Sequence, residues 1–338
     1  MTVDPALAEA VTAWSEVARD LAAHGATRPT GGLINATWVV GRRWVVQRLH
    51  PIFGGELHHD IAALTPHLVA AGVPVPPLVA ADDGRLWVDR DDGAWRVLRF
   101  LPGATLHQVE TLGQVRSAAR ALARFHGALA PVRHEFAFAR LGIHDTEKHL
   151  ANLRAAVAAH PEHRLAGEVA PLAEAIFSAW AAFPAAEEPL PARIGHGDPK
   201  LANFLFEGDD VVAILDLDTL GWTTLDAEIG DALRSWCNAA SEDDTSPEFL
   251  VDRYCAARDS YLAAARDWVT PAEAASFPWA AARIALELSS RFLADALNES
   301  YFGWDAARFA TRGEHNLVRA RGQLALAQDV LAKRELLA

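Results

Sequence analysis

A chain of 338 residues is long enough for two lobes, each with a sizeable core. Its formal net charge of −13 argues against non-specific binding to nucleic acid or an anionic membrane. Two cysteines without a CxxC spacing give no disulfide framework, and with no signal-like leader or membrane-length apolar run the expected location is the cytoplasm. Residues 4–24 predict one amphipathic helix, capped by Asp4 with Pro5 in its first turn, whose apolar stripe runs Leu7, Val11, Trp14, Val17, Leu21. Two β-rich runs at 36–40 and 44–49 flank a turn at Gly41-Arg42 and predict a hairpin, preceded by Gly31-Gly32. Residues 85–89 and 94–100 alternate well enough to complete an antiparallel sheet, and Pro102-Gly103 marks the end of the small lobe. Residues 112–128 and 147–183 are Ala-rich and helical. His126 reads as a packed core residue, and His144, His149, His160 and His163 show neither HExxH spacing nor a cysteine partner. The polar run 241–248 reads as a solvated loop, and Thr270-Pro-Ala-Glu273 has a capping-box pattern.

The chemistry concentrates between residues 193 and 219. His196-Gly-Asp198 opens the stretch, Asn203 follows five residues after Asp198, and two short apolar strands lead to Asp216-Leu-Asp218. A carboxylate on a loop can orient an incoming hydroxyl. An amide oxygen and a second carboxylate at a strand end can hold Mg²⁺ against a triphosphate, because Mg²⁺ keeps few protein ligands and takes the rest from water and phosphate. Protein kinases carry the same parts in the same order. Upstream of such a centre, Gly31 and Gly32 read as a loop that admits phosphate to backbone N–H groups, with Asn35 and Thr37 as side-chain donors.

The HGDxxxxN pattern with its strand-end Asp resembles the kinase-like small-molecule phosphotransferases, which include aminoglycoside phosphotransferases and choline kinases. Downstream, Leu215-Asp-Leu-Asp-Thr219, Gly230-Asp-Ala-Leu-Arg234, Arg291-Phe-Leu-Ala-Asp295 with Tyr301-Phe302, and the segment 314–321 are similar to N-acetylhexosamine 1-kinase and its relatives. The resemblance implies an α+β, protein-kinase-like fold: a small lobe on an antiparallel sheet (1–101) and a large, mostly helical lobe (102–338) that binds the acceptor. It implies Mg²⁺ on Asn203 and Asp216, ATP as co-substrate, and Asp198 as the catalytic residue. His196 orients the loop, and Asp231 serves as a helix cap or an anchor for the catalytic loop. Residues 98–101 match the hinge that contacts adenine, so Arg99 and Leu101 join the expected nucleotide contacts. The usual strand lysine is missing, since no Lys precedes Lys148. Arg48 is the candidate for its role, Gln47 takes it if the strand register is reversed, and Glu56 or Asp60 is the acidic partner. Asp218, Arg291 and Tyr301 are the expected substrate contacts, with Asp218 open to metal, a sugar hydroxyl or backbone amides.

These residues predict an ATP- and Mg²⁺-dependent kinase acting on a hydroxyl of a sugar or amino sugar, working as a monomer or homodimer. The alternative acceptor is an aminoglycoside or another amino alcohol gripped by acids such as Glu242, Asp243 and Asp244. A nucleotide-binding pseudokinase is the reading from a different class, and the complete Asp198, Asn203, Asp216 set speaks against it.

Overall fold

The computed structural model describes residues 4–29, 35–138, 144–184, 188–241 and 243–337. Helices α1 (Pro5–Ala10) and α2 (Ser15–His24) lead into strands β1 (Ala26–Thr27), β2 (Ala36–Val40) and β3 (Trp44–Arg48). Helix α3 (Leu57–Ala70) precedes β4 (Leu78–Val79), β5 (Val88–Arg90) and β6 (Gly93–Arg99). These six strands form one antiparallel sheet in the order β1-β2-β3-β6-β4, with β5 also on β6. The remainder is a helical lobe: α4 (Leu112–Leu129), α5 (Thr146–Ala159), α6 (Ala166–Ala181), α7 (Leu225–Trp236), α8 (Val251–Ala265), α9 (Pro271–Asn298), α10 (Arg312–Ala332) and the short α11 (Arg334–Leu337). Five short strands are set into it: β7 (Ala104–Thr105), β8 (Ala192–Gly195), β9 (Phe204–Glu207), β10 (Asp210–Ile214) and β11 (Gly221–Thr224).

The period of two along the sheet decides what reaches the site. Trp38, Val40, Trp44, Val46, Trp95 and Val97 share one face and pack with α1 and α2 into the smaller apolar cluster. Trp38 stacks on Trp95 with ring centroids 5.2 Å apart. The opposite face presents Thr37, Gln47 and Arg96, paired across the strands. Helix α3 and the segment carrying Val73 and Val75 belong to the larger cluster, which runs on through the helical lobe.

The helix expected at 4–24 is broken. A 3-10 turn at Val11–Ala13 and an extended Trp14 (φ −123°, ψ 87°) separate α1 from α2. The break lets the Trp14 indole donate to the Val79 carbonyl (2.8 Å), while Asp82 accepts from the Ser15 amide (3.0 Å) at the start of α2. Arg85 to Trp87, expected as a strand, lie outside β5. The hairpin turn has both Gly41 and Arg42 at positive φ, and the capping box at the head of α9 forms as read.

Candidate active site

Two antiparallel pairs hold the centre. β8 pairs with β11, and β9 pairs with β10, so the segment 196–203 leaves one pair and enters the other. The turn 215–220 makes the return journey. Gly197 sits at φ +82° with the Thr219 carbonyl only 2.2 Å from where a Cβ would stand, so this crossing needs glycine. His196 is buried; its Nε2–H donates to the Leu215 carbonyl (2.7 Å), and its Nδ1 accepts from the Asp198 amide (3.3 Å). The ring therefore ties the two halves of the motif together.

The anchor of the loop is Glu228 on α7. Its carboxylate accepts from the amides of His196 (2.6 Å) and Gly197 (3.0 Å) and from the His126 ring (3.2 Å). Burial alone raises a carboxyl, but these donors and the nearby histidines hold Glu228 at about 2. Asp231, expected as cap or anchor, lies inside α7, one turn further along. One of its oxygens takes Arg234 (2.8 Å), and the other is buried with no hydrogen-bond partner among the described residues.

Asp198, Asn203 and Asp216 lie near one another: Asn203 bonds Asp198, and the Asp198 charge acts on the Asp216 carboxyl. Asn203 turns its amide N–H groups onto the Asp198 carbonyl (2.7 Å) and carboxylate (3.2 Å), which leaves Oδ1 as the outward acceptor. Asp216 is exposed and adopts left-handed backbone (φ 61°, ψ 63°), a conformation uncommon outside glycine but one that aspartate tolerates better than most residues. The protein packed round it, with Asp218 and Asp198, pushes its carboxyl up to about 6. Asp198 is raised as well, by burial first and then by Asp231, against the pull of Lys200. Both carboxyls are pushed upward first by desolvation and then by neighbouring carboxylates. One amide oxygen and one carboxylate suit Mg²⁺, whose remaining positions go to phosphate and water. Lys200, absent from the sequence reading, donates its ammonium to Asp198 at 2.5 Å. Its position two residues after the Asp was the available signal.

The sheet supplies the other wall. Asp218 is held bidentately by Arg96 (2.5 and 2.9 Å) and by the Asn35 amide (2.8 Å), so it contacts neither solvent nor backbone amides as its main partner. Gln47 accepts from Arg96 (2.9 Å) and donates to Thr37 (3.1 Å). Arg48 lies on the opposite face, paired with Asp92 (2.7 Å) above Trp95. Arg99 also points that way, its guanidinium 4.0 Å above the Trp44 ring. The strand register is thus the reverse of the one that favours Arg48, and the inward cation comes from β6. Neither expected acid pairs with it. Asp60 takes His134 (2.7 Å) and the amides of Ala137 and Phe138, and Glu56 is exposed. Leu101 is the first residue past the backbone bonds that tie Arg99 and Phe100 into the sheet. Gly31 and Gly32 lie outside the described residues.

Beside Gly197 and Thr219 opens a cavity of about 1490 Å³, walled by Trp222, Phe136 and Trp279 and by the acids Glu135, Glu188 and Asp226. Asp226 is paired with Arg283. Arg291 and Tyr301 are elsewhere, in a second cavity of about 650 Å³ between α5 and the end of α9. There Asp295 fixes the following turn by accepting from the amides of Ser300, Tyr301 and Phe302. Asp243 is consumed by His315, Arg308 and Arg319, Asp244 caps Ser246, and Glu242 lies outside the described residues.

Residues 25–276 match the phosphotransferase enzyme family. Among solved structures, a choline/ethanolamine kinase family protein from Mesorhizobium loti is 19% identical, with 92% of each chain covered and a TM-score of 0.54. A microcompartment-associated aminopropanol kinase is also 19% identical, over 95% of this chain and 99% of its own, at a TM-score of 0.59. The GDP complex of aminoglycoside 2′-phosphotransferase-IIIa is 16% identical, over 89% and 92%, at 0.60. Identities this low carry the fold and leave the acceptor open.

Proposed function

Since the chain belongs to the phosphotransferase enzyme family, we propose that it moves the γ-phosphoryl group of ATP to a hydroxyl of a sugar or amino sugar, with Mg²⁺ on Asn203 and Asp216. The observation that carries this reading is the grouping of Asp198, Asn203 and Asp216 on segments whose residues Gly197 and Thr219 line an aromatic, acid-walled cavity. Asn203 and Asp216 would hold Mg²⁺, which would supply charge neutralisation for the phosphates. Asp198 accepts a hydrogen bond from the acceptor hydroxyl, aims its oxygen in line with phosphorus and takes the proton late. Placement of this kind accounts for most of the rate when the transition state is loose. Lys200 carries positive charge beside Asp198, where phosphate charge must be accommodated. Asn35 and Thr37, the expected phosphate donors, are instead engaged within the protein, Asn35 by Asp218 and the His50 amide and Thr37 by Gln47.

Aromatic rings suit the C–H faces of a pyranose, and carboxylates suit its hydroxyls. The same carboxylates favour a second reading, an aminoglycoside or amino alcohol, because Glu135 and Glu188 add negative charge to a wall whose Arg283 is already paired. An acceptor panel separates the two: GlcNAc, GalNAc, glucosamine, galactose, kanamycin and choline, read by ADP release and by acid lability of the product. An acid-labile phosphate from one hexosamine fits the N-acetylhexosamine 1-kinase reading. Turnover of kanamycin or choline alone moves the acceptor class to amino alcohols. ATP binding with no transfer to any acceptor would contradict the first reading and favour the pseudokinase.

A further inference from the structure

Among the described residues, the face of the sheet that meets the Asp216–Asp218 turn carries one cation, and it is buried. Arg96 is 2% exposed; its two terminal nitrogens grip both oxygens of Asp218 and its Nε–H donates to Gln47. Three bonds fix the plane of the guanidinium, which a lysine ammonium does not reproduce. The neighbouring element offers no competing carboxylate. Asp60 of α3 is engaged elsewhere, and the α3 residue beside Arg96 is His58, which burial and the Arg96 charge push down to about 4 and so keep neutral.

We propose that Arg96 is a positioning residue for the metal-side carboxylate: from β6 it clamps Asp218 and thereby holds the left-handed turn that presents Asp216. In the usual kinase pattern a lysine on the third strand and an acid on the following helix link the sheet to the catalytic machinery. Here the link runs from Arg96 directly to the turn. Asp216 is pinned on both sides. Before it, Leu215 donates its amide to the Asn203 carbonyl (2.8 Å) and receives the His196 ring on its own carbonyl (2.7 Å). After it, Asp218 is fastened by Arg96 and by Asn35, whose other amide atom accepts from the His50 amide (2.9 Å). A residue held at positive φ between two such anchors has lost the freedom to relax. With its three bonds spent on Asp218 and Gln47 in a buried place, Arg96 acts through Asp218. The inference rests on the phosphotransfer reading in one respect, the assignment of Asp216 to Mg²⁺.

The test measures binding of a fluorescent ATP analogue as Mg²⁺ is titrated, without acceptor, in the wild type, Arg96→Lys, Asp218→Asn and the double variant. Thermal melts confirm that each is folded. Arg96→Lys keeps the charge and loses the fork. It is expected to raise the Mg²⁺ needed for half-maximal effect by about tenfold, the usual cost of removing an outer support of a metal ligand. Nucleotide affinity in EDTA and the KM for the acceptor stay near wild type. Asp218→Asn gives a similar shift, and the double variant is no worse than either single change, since both remove one clamp. An Arg96→Lys protein that titrates like wild type, or a double variant whose shifts multiply, overturns the proposal while leaving phosphotransfer intact. A wild type without Mg²⁺-dependent nucleotide binding overturns both.

Discussion

Glu228 holds three donors in a buried place, and its acid strength reports that work. The group's ordinary value is 4.5 and its folded value about 2, so the stabilisation is fully present above pH 4.5 and is lost as pH falls through 2. Glu228→Gln keeps the shape and removes the charge, which sets an amide N–H against a donor. A loss of about 3 kcal/mol is expected from a broken buried network of this kind. Guanidinium unfolding at several pH values checks it: the gap between wild type and variant narrows between pH 4.5 and 2. The anchor was not legible from sequence, because Asp226, Glu228 and Asp231 stand within one and a half turns, and only the crossing of α7 beneath the catalytic loop selects one. Arg96 escaped for a related reason. Parity along a strand gives two faces but not which of them meets the site, and that choice came from the packing of Trp38, Trp44 and Trp95 under α1 and α2.

Elements were easier to read than their junctions. The hairpin, the cap of α9 and the Ala-rich helices follow from local chemistry, whereas the break at Trp14 depends on Val79 and Asp82, more than sixty residues away. Helices α7 and α9 cross at Gly230, where a Cβ would stand 2.3 Å from the Ala280 carbonyl. A Gly→Ala change inside a helix ordinarily gains about 1 kcal/mol from propensity. Here the clash with backbone reverses the sign, and Gly230→Ala is expected to destabilise by about 1–3 kcal/mol. A rise in the denaturation midpoint would show that the two helices part without cost. Because α7 carries Glu228, the variant should also lose turnover in proportion to the displaced catalytic loop. Arg291 and Tyr301 belong to this scale. Their motif was visible, but α9 is 28 residues long, and at about 1.5 Å of rise per residue the sequence did not say which stretch reaches the cavity.

At the scale of the molecule, the sheet and the helical lobe meet through Asp218, whose partners Asn35 and Arg96 both come from the sheet side. Ligands that fill the cleft should therefore stabilise both parts together. A nucleotide at about 100 times its Kd adds roughly 2.7 kcal/mol. For a protein of this size the melting temperature should rise by a few degrees with Mg-ATP and by less with ATP in EDTA. The α+β kinase-like architecture was legible because one loop motif fixes the order of parts on either side of it. The cavity beside Thr219 was not, because its walls come from α5, β11, α9 and the segment at 134–136, which no local pattern joins.

The most direct test of the account compares wild type with Asp198→Asn in Mg-ATP and the preferred acceptor. Turnover and nucleotide affinity are both measured. In Asp198→Asn, kcat is expected to fall by about 10²–10⁴-fold while nucleotide affinity stays within a few-fold of wild type. An Asp198→Asn enzyme that turns over like wild type would contradict it.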